Sequence, residues 1–428
     1  MKKIIFIIII LLGSIGGYYY YQNIYLPSQK PTLEVETNKV DISEYYIYGN
    51  HLNMKGTIKK LNANFKNADI ILWNSETGEK IKYKINYKKN INTLNFNISD
   101  SINDGIYLDN IKPGKYQIYL RLKYVKQVKK KEEVTYKYFP LENKTSYKAT
   151  NYYTISKTNN KLHIYSNKKT LSIKVSKNNE EVYDVVIDPS GGGIDKGSTG
   201  NGHNEADITL EMAEKIKEEL EKSKIKVKLT RTKDSLSATD YFDEYNDGGR
   251  AVISHEVNAK YVFSLEATSS QNVQTSGFSI YTASDINYDF AAKLTENIIS
   301  KTNLKTSAIT AYRVDYGIYS HNFTESEISD NMAYYDRKGY THYNITTNSN
   351  YLYMIRETGG IMTGAYVDDS NPEKVGVNKY YNSNIGAEAY VIRLGYLSNQ
   401  DDLNAMTTNQ GTYAQAIANS IINELKSK

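Results

Sequence analysis

The sequence predicts an α/β domain at the C-terminal end of the chain, preceded by an all-β, sandwich-like domain and by an N-terminal transmembrane helix. Three patterns predict this organisation: an apolar run at the start of the chain, two-residue alternation of apolar and polar side chains up to about residue 178, and alternating strand-like and helix-like segments after residue 182. A length of 428 residues also exceeds that of one typical domain. The predicted boundaries are 1–25 for a membrane anchor or signal segment, 26–36 for a linker, 37–178 for the β-sandwich-like domain and 182–428 for the α/β domain.

The composition narrows the function classes. Hydrophobic residues make up 40% of the chain, which is enough to fill real cores, and a net charge of +5 does not indicate a nucleic-acid-binding protein. The absence of Cys excludes disulfides, thiolate metal ligands and Cys nucleophiles. The 41 Tyr against one Trp fit either a compositional bias shared with Asn, Lys and Ile or a carbohydrate-binding surface, and the sequence leaves both open.

The N-terminal segment predicts export. Lys2 and Lys3 precede the apolar run Ile4–Ile15, and Tyr18–Tyr21 follow where lipid headgroups would lie. No A-x-A-like cleavage site is present, so an uncleaved single-pass anchor is favoured over a cleaved signal peptide. We therefore expect a cell-membrane protein whose bulk is extracytoplasmic.

Alternating residues predict antiparallel strands in the region 37–178. Lys80–Tyr87 (KIKYKINY) and Tyr116–Lys123 (YQIYLRLK) place apolar side chains on one face and mostly polar ones on the other. Lys126–Val134 reads as a charged hairpin tip. No catalytic constellation appears here, so a spacer or recognition module is expected.

After residue 182 the pattern becomes that of an α/β domain with a mixed sheet and helices on both faces. The predicted strands are Tyr183–Ile187, Ile225–Leu229, Tyr261–Leu265, Gly277–Tyr281, Tyr351–Ile355 and Ala389–Leu394, and the predicted helices are Glu205–Lys222, Arg250–Val257, Tyr288–Ser300 and Thr412–Leu425.

The Gly-rich loop Ser190–Gly202 does not carry a nucleotide-binding motif. A phosphate loop ends in Gly-Lys-Ser/Thr, whereas here the order is Lys196-Gly197-Ser198. The dinucleotide fingerprint is also missing at the correct strand and helix spacing. The glycines are explained instead by the positive φ angles that a long turn requires.

Four segments in order resemble one enzyme family. They are VIDPSGGGIDKGSTGNGHNEAD (Val186–Asp207), LTR (Leu229–Arg231), RAVISHEVNAKYVFSLEA (Arg250–Ala267) and AYVIRLGYLSN (Ala389–Asn399). Together they resemble the zinc-dependent N-acetylmuramoyl-L-alanine amidases, which cut peptidoglycan between the muramic acid lactyl group and the stem peptide. The resemblance covers about 245 residues and leaves the N-terminal 180 outside.

The resemblance implies a metal site of which this chain keeps one residue. In the family, a zinc held by His, Glu and His activates water, and a Glu on the last strand is the general base. The first His falls on Gly191, the metal-binding Glu on Glu205, the second His on Glu266 and the catalytic Glu on Arg393. The Gly ahead of the first His is Ser190. No catalytic residue, bound metal or other cofactor is therefore expected, although zinc serves active relatives.

A small pocket formed by Ser190, His203, Glu205, Glu266 and Arg393 remains the candidate site. We hypothesise that Arg393 replaces the zinc charge and pairs with both Glu205 and Glu266. His203 could swing toward Glu205. The other histidines, among them His255, His321 and His342, are expected to be surface or capping residues.

These features lead to one expected function and two alternatives. The chain is expected to be a membrane-anchored, inactive amidase homologue that binds the cell wall or regulates an amidase, with peptidoglycan or a cell-wall protein as partner and no nucleic acid. One alternative is an active peptidoglycan amidase with a rewired metal site, which is a metal-dependent hydrolase. The other is an extracytoplasmic scaffold protein.

Overall fold

The structure is a computed structural model that describes residue 17 and residues 31–48, 51–62, 64–98, 106–108, 110–129, 131–143, 151–155, 158, 160–167, 170–179, 181–193, 195–232, 248–284, 286–339, 343–359, 366–367 and 386–427. Within these ranges, no helix combines the length and the apolar character that a bilayer-spanning segment needs. The predicted anchor, residues 1–25, lies outside the described residues apart from Gly17.

Twelve strands of the described residues between Val40 and Lys177 share one hydrogen-bonded network. They are β1 Val40–Tyr48, β2 His51–Ile58, β3 Phe65–Asn74, β4 Lys80–Lys84, β5 Asn86–Lys89, β6 Leu94–Ile98, β7 Ile106–Tyr107, β8 Gly114–Val128, β9 Lys131–Asn143, β10 Asn151–Ile155, β11 Asn160–Asn167 and β12 Thr170–Lys177. The main path runs β10–β11–β12–β8–β9–β1–β2–β6–β5, while β3 joins β8 and β4, and β7 joins β2. The arrangement as a sandwich stays a prediction.

Alternation along KIKYKINY is confirmed, but its single strand is divided. Lys80, Lys82 and Lys84 are exposed, whereas Ile81 and Tyr83 are half-buried. The chain leaves the ladder at Ile85, because β4 pairs with β3 whereas β5 pairs with β6. Two-residue periodicity predicts which side chains share a face, but not the partner strand. The hairpin tip predicted at residues 126–134 is confirmed by the β8–β9 turn.

The C-terminal part is built on a seven-stranded mixed sheet. Its strands and two short ribbons are β13 Val185–Pro189, β14 Thr199–Gly200, β15 His203–Asn204, β16 Val227–Leu229, β17 Tyr261–Thr268, β18 Ser279–Thr282, β19 Arg313–Asp315, β20 Ile318–Tyr319, β21 Tyr343–Asn344, β22 Tyr366–Val367 and β23 Glu388–Tyr396. The helices are α1 Glu205–Lys222, α2 Ile253–Glu256, α3 Asp289–Lys301, α4 Glu325–Lys338, α5 Tyr353–Thr358, α6 Gln400–Met406 and α7 Gln410–Lys426. The strand order is β16–β13–β17–β23–β18–β20–β19.

Strand direction brings the functional segments to one edge of this sheet. β13, β16, β17 and β23 are mutually parallel, so their carboxyl ends meet. β18 runs antiparallel to β23 and therefore begins at that same edge. The Gly-rich loop follows β13, while Glu266 and Arg393 lie near the ends of β17 and β23. The sheet thus gathers the predicted site residues, as the carboxyl edge of a parallel sheet commonly does.

One face of the sheet is an aromatic core against helices. The Phe290 ring of α3 lies 5.9 Å from Phe263 of β17 and 5.1 Å from Tyr390 of β23. Because side chains alternate along a strand, Ser264, Glu266 and Arg393 project to the opposite face. This alternation keeps the site residues out of the aromatic core.

Several sequence predictions for this region are corrected. Tyr351–Ile355 was predicted to be a strand, but the described residues form the helix α5, with Met354, Ile355 and Thr358 buried. The apolar run was too short to distinguish a strand from a buried helix. His255 and His321 were predicted to be surface or capping residues, and burial of both side chains excludes the surface position. The prediction for His342 falls outside the described residues.

A buried ion pair fixes the end of β13. Asp188 is completely buried, and Arg250 donates to both of its oxygens, Nη2 to Oδ2 over 2.6 Å and Nε to Oδ1 over 3.1 Å. Hydroxyls of Ser264 and Thr230 donate to the same carboxylate over 2.6 and 2.8 Å. Burial alone would raise the pKa of Asp188, but the Arg250 charge and these hydrogen bonds outweigh it and lower that pKa.

Replacing Asp188 should therefore be costly. We expect Asp188→Asn to lower the unfolding free energy by about 3–5 kcal/mol at pH 7, because it leaves Arg250 without its charged partner. The pKa of Asp188 is depressed, so its contribution is complete above the unfolded-state pKa of about 3.9 and is lost as pH falls through the folded-state value. Urea unfolding at several pH values measures this difference.

The matched control is Glu76→Gln, which removes an exposed pair with Lys115 at 2.9 Å and should change stability little. Equal stability of the Asp188→Asn variant and the wild type at pH 7 would show that the pair does not hold this strand.

Candidate functional site

Arg231 clamps the Gly-rich loop against helix α1. Its Nε donates to the Pro189 carbonyl over 3.0 Å, and its Nη2 donates to the carbonyls of Ser190 over 3.1 Å and Ala206 over 2.7 Å. Arg231 is buried, so these bonds also satisfy its donors away from water. The LTR segment therefore serves to position the loop.

Glu205 is the first residue of α1, and two backbone amides donate hydrogen bonds to its carboxylate. The Ala267 amide donates to Oε1 over 3.2 Å and the Ser198 amide to Oε2 over 2.9 Å. The Ser190 hydroxyl also contacts this carboxylate. Burial raises the pKa of Glu205 and the nearby Glu266 charge adds to it, while these hydrogen bonds oppose the shift. Glu205 thus ties the loop to strand β17.

The loop itself comes close to Glu205. Gly197 has φ +63°, and a Cβ at this position would overlap the Glu205 side chain. Gly191 is buried with φ +71°, and a Cβ there would lie 3.0 Å from the Asp195 carbonyl oxygen and 3.1 Å from Ala206 Cβ. The backbone at residue 191 has therefore adopted a conformation that suits glycine and disfavours a larger ligand-bearing residue.

Glu266 and Arg393 form an ion pair across neighbouring strands. They are register partners in the parallel β17–β23 ladder, and Arg393 Nη2 donates to Glu266 Oε2 over 3.0 Å. Their side chains are 25% and 24% exposed, so the pair lies at the mouth of the site. Burial alone would lower the pKa of Arg393, but Glu266 and Tyr281 outweigh it and raise that pKa.

Tyr281 is a member of the site that sequence reasoning missed. Arg393 Nη1 donates to the Tyr281 hydroxyl over 3.0 Å, and the guanidinium carbon lies 5.0 Å from the centre of the ring. Ser279 is the register partner of Arg393, which places Tyr281 diagonally across the antiparallel β18–β23 ladder. Only the pairing of β18 with β23 identifies this contact, since nothing in the sequence near Tyr281 signals it.

The structure brings together most of the predicted pocket. Ser190 and Glu266 both lie near enough to Glu205 to shift its pKa, and Arg393 bonds to Glu266. The hypothesis that Arg393 pairs with both carboxylates is corrected, because Arg393 bonds Glu266 while Glu205 is held by the Ser198 and Ala267 amides. His203 lies exposed on the β14–β15 ribbon, opposite Gly200.

With this geometry the family can be assigned. Residues 185–423, more than half of the chain, match the family described as N-acetylmuramoyl-L-alanine amidase. The chain therefore belongs to this family, as the four sequence segments predicted. No curated protein matches the chain.

Solved structures of such amidases also align with 58% of this chain. The N-acetylmuramoyl-L-alanine amidase AmiC2 of Nostoc punctiforme is 21% identical over 99% of its own chain, with a TM-score of 0.37. The catalytic domain of CwlV from Bacillus (Paenibacillus) polymyxa var. colistinus is 21% identical over 100% of its chain, with a TM-score of 0.37. An amidase from Clostridium difficile 630 is 20% identical over 100% of its chain, with a TM-score of 0.38.

The residues present do not fit the zinc that the family implies. Gly191 has no ligand atom, and Glu266 is already paired with a cation at the mouth of the site. Both oxygens of Glu205 already accept hydrogen bonds from backbone amides. Across the described ranges of the chain, no group of three or more His, Asp or Glu side chains converges as a metal site. Two carboxylates without imidazole are a poor ligand set for zinc.

Gly191→His should destabilise the domain rather than recreate a ligand. A left-handed conformation costs a non-glycine residue about 1–2 kcal/mol, and the contacts with Asp195 and Ala206 add to it. We expect a lower melting temperature in differential scanning calorimetry. The control is Gly411→Ala in α7, where a Cβ meets nothing within 4 Å and helix propensity favours alanine. A wild-type melting temperature for Gly191→His would contradict the strained loop.

Arg393→Glu should also destabilise the domain, because it places a third carboxylate beside Glu266 and Glu205. The pair is about one quarter exposed, so we expect a loss of roughly 1–3 kcal/mol, between the values for surface and buried pairs. Thermal unfolding measures this loss. The double exchange Arg393→Glu with Glu266→Arg should recover part of it. An unchanged melting temperature for the single variant would mean that the ion pair contributes nothing.

Proposed function

We propose that this chain is a non-hydrolytic member of the amidase family that binds peptidoglycan outside the cell. The observation that carries the proposal is the Arg393–Glu266 ion pair. It occupies the positions at which the resemblance expects the general base and a zinc ligand.

The chemistry of the pair opposes amide hydrolysis by the family's route. A guanidinium stays protonated at neutral pH and cannot accept a proton from water. Glu266 is engaged by that guanidinium at 3.0 Å. Glu205 has a raised pKa and accepts hydrogen bonds that position the loop. At the positions that the family uses for catalysis, the residues of this chain therefore make structural contacts.

The frame around the site supports a binding role. Asp188 with Arg250, and Arg231 with the loop carbonyls, keep the carboxyl edge of the sheet ordered. Buried polar contacts lower the stability of a protein when they are incomplete. Their completeness here therefore supports a remaining role for this edge of the sheet. We infer that the edge persists because it recognises a cell-wall component or an amidase partner.

Membrane attachment belongs to the same proposal. The apolar N-terminal segment, residues 1–25, would hold the protein at the cell membrane, and the strands between Val40 and Lys177 would serve as a spacer or recognition module. This arrangement would keep the amidase-like part within reach of the wall.

Purified peptidoglycan sacculi test the proposal directly. Residues 28–428 should co-sediment with sacculi and should release no new stem-peptide N-termini, measured by amine labelling and chromatography. A catalytically active amidase provides the positive control for release. Failure of the protein to co-sediment would reject the binding role.

Zinc titration separates this proposal from the alternative of an active enzyme with a rewired site. After exchange into chelator-free buffer with a slight excess of zinc, the folded protein should retain no stoichiometric metal. Stem-peptide release that a chelator abolishes, together with about one retained zinc per chain, would favour the rewired enzyme instead.

A further inference from the structure

Half-exposed tyrosines concentrate beyond the edge of the seven-stranded sheet. Tyr312, Tyr316, Tyr334 and Tyr351 are 44%, 61%, 43% and 41% exposed. Among the other tyrosines whose side-chain exposure the structure describes, only Tyr136 of β9 reaches a comparable value, at 42%. The exposed tyrosines of this Tyr-rich chain are therefore concentrated in this region of the surface.

Two of these tyrosines are held in a stack around a buried histidine. The Tyr312 ring lies 3.5 Å from the His321 ring at an angle of 12°, and the Tyr351 ring lies 4.2 Å from its other side at 10°. His321 is only 9% exposed. The Tyr351 amide donates to the His321 carbonyl over 2.8 Å, which couples the two backbones. Three nearly parallel rings thus form one rigid unit, which we term the tyrosine stack.

Hydrogen bonds to Glu327 hold two rings of this stack in place. His321 Nε2 lies 3.0 and 3.2 Å from its two carboxylate oxygens, and the Tyr312 hydroxyl donates to Oε1 over 3.3 Å. Thr324 donates through both its amide and its hydroxyl to Oε2, completing a capping box at the start of α4. The rings are therefore oriented before any ligand arrives, which reduces the entropy cost of binding.

Burial does not explain why the two outer rings remain exposed. A stack that served the core alone would cover all three rings, yet Tyr312 and Tyr351 leave more than two fifths of their surface in water. Exposed, pre-oriented aromatic rings edged by hydroxyl and carboxylate groups are suited to a ligand with an apolar face and many hydroxyls.

We propose that the outer face of Tyr312, supported from behind by His321 and Tyr351, is a binding platform for a pyranose ring of a neutral, β-linked amino-sugar chain. The C–H face of such a ring packs on the Tyr312 ring, and its hydroxyls remain hydrated. The proposal deepens the proposed function, on which it rests, by assigning peptidoglycan contact to the glycan strand at a surface other than the Arg393 pocket.

The charges around the stack favour a neutral glycan over an anionic wall polymer. Glu325 and Glu327 lie in the first turn of α4, and Asp315 is exposed on β19. The nearby cation Arg313 is engaged through Nη2 with the carbonyls of Ser307 and Ile309. A phosphate-rich polymer would meet net negative charge here, whereas an uncharged sugar ring would not.

Chitooligosaccharides, which are β-1,4-linked N-acetylglucosamine chains, provide the probe. Isothermal titration calorimetry with the full chain in detergent should detect binding that Tyr312→Ala weakens about tenfold, as expected for an aromatic anchor of an interface. Tyr351→Ala should weaken it less, because Tyr351 supports the Tyr312 ring only through His321. Tyr312→Phe keeps the ring and should bind nearly as well as the wild type. Tyr136→Ala removes an equally exposed tyrosine elsewhere and should have no effect.

Hydrogen exchange gives a second measurement that needs no variant. Saturating chitooligosaccharide should protect the segments around Tyr312, His321 and Tyr351, even if one alanine variant fails to fold. Chitooligosaccharide binding that Tyr312→Ala retains in full, with no protection of these segments, would overturn the platform, while sacculus binding would leave the proposed function intact. Failure of the wild type to bind sacculi would instead reject the proposed function.

Competition with an anionic wall polymer tests whether the site binds the neutral glycan or that polymer. Teichoic-acid-type polymer should not displace the chitooligosaccharide. Displacement at stoichiometric concentration would overturn the assignment to a neutral glycan.

Discussion

The buried ion pair between Asp188 and Arg250 is the interaction on which the rest of the site depends. It satisfies a carboxylate that no water reaches, and it joins the end of β13 to the segment before α2. The Gly-rich loop leaves β13 two residues later, where Arg231 holds its carbonyls. Because a buried charge without its partner is so unfavourable, this frame persists when the side chains at its rim change.

One charge at the rim is reversed, because Arg393 lies at the position where the resemblance implies a glutamate. A site that holds a dication in related enzymes here presents a guanidinium, and the two carboxylates have separated their roles. Glu266 neutralises Arg393 at 3.0 Å, whereas Glu205 stabilises the loop through amides. This division avoids two adjacent unpaired carboxylates, one of which would otherwise have to take up a proton. It also explains why membership of the amidase family and a role in hydrolysis are separate questions for this chain.

The ion pair lies within the seven-stranded sheet, and the tyrosine stack lies just beyond its edge strands. Tyr281, which accepts a hydrogen bond from Arg393, packs 5.1 Å from Tyr319 of β20, and Arg313 of β19 lies 5.8 Å from the Tyr319 ring. A row of cations and aromatic rings therefore crosses the sheet from the pocket to the edge strand. Tyr281 and Tyr319 are buried, so this row is internal packing between the two places and not a shared binding surface.

The sequence by itself determined the elements that carry the site. Periodicity predicted α1 at Glu205–Lys222 with the observed bounds, and motif order placed Glu205, Glu266 and Arg393 in one pocket. It did not predict α4 or α5, because a mostly exposed helix and a six-residue buried helix carry weak periodic signals. Only the tertiary structure decided that Arg393 pairs with Glu266 and Tyr281 rather than with Glu205. Such pairing is set by strand register and by competing backbone amides, which join residues more than one hundred positions apart.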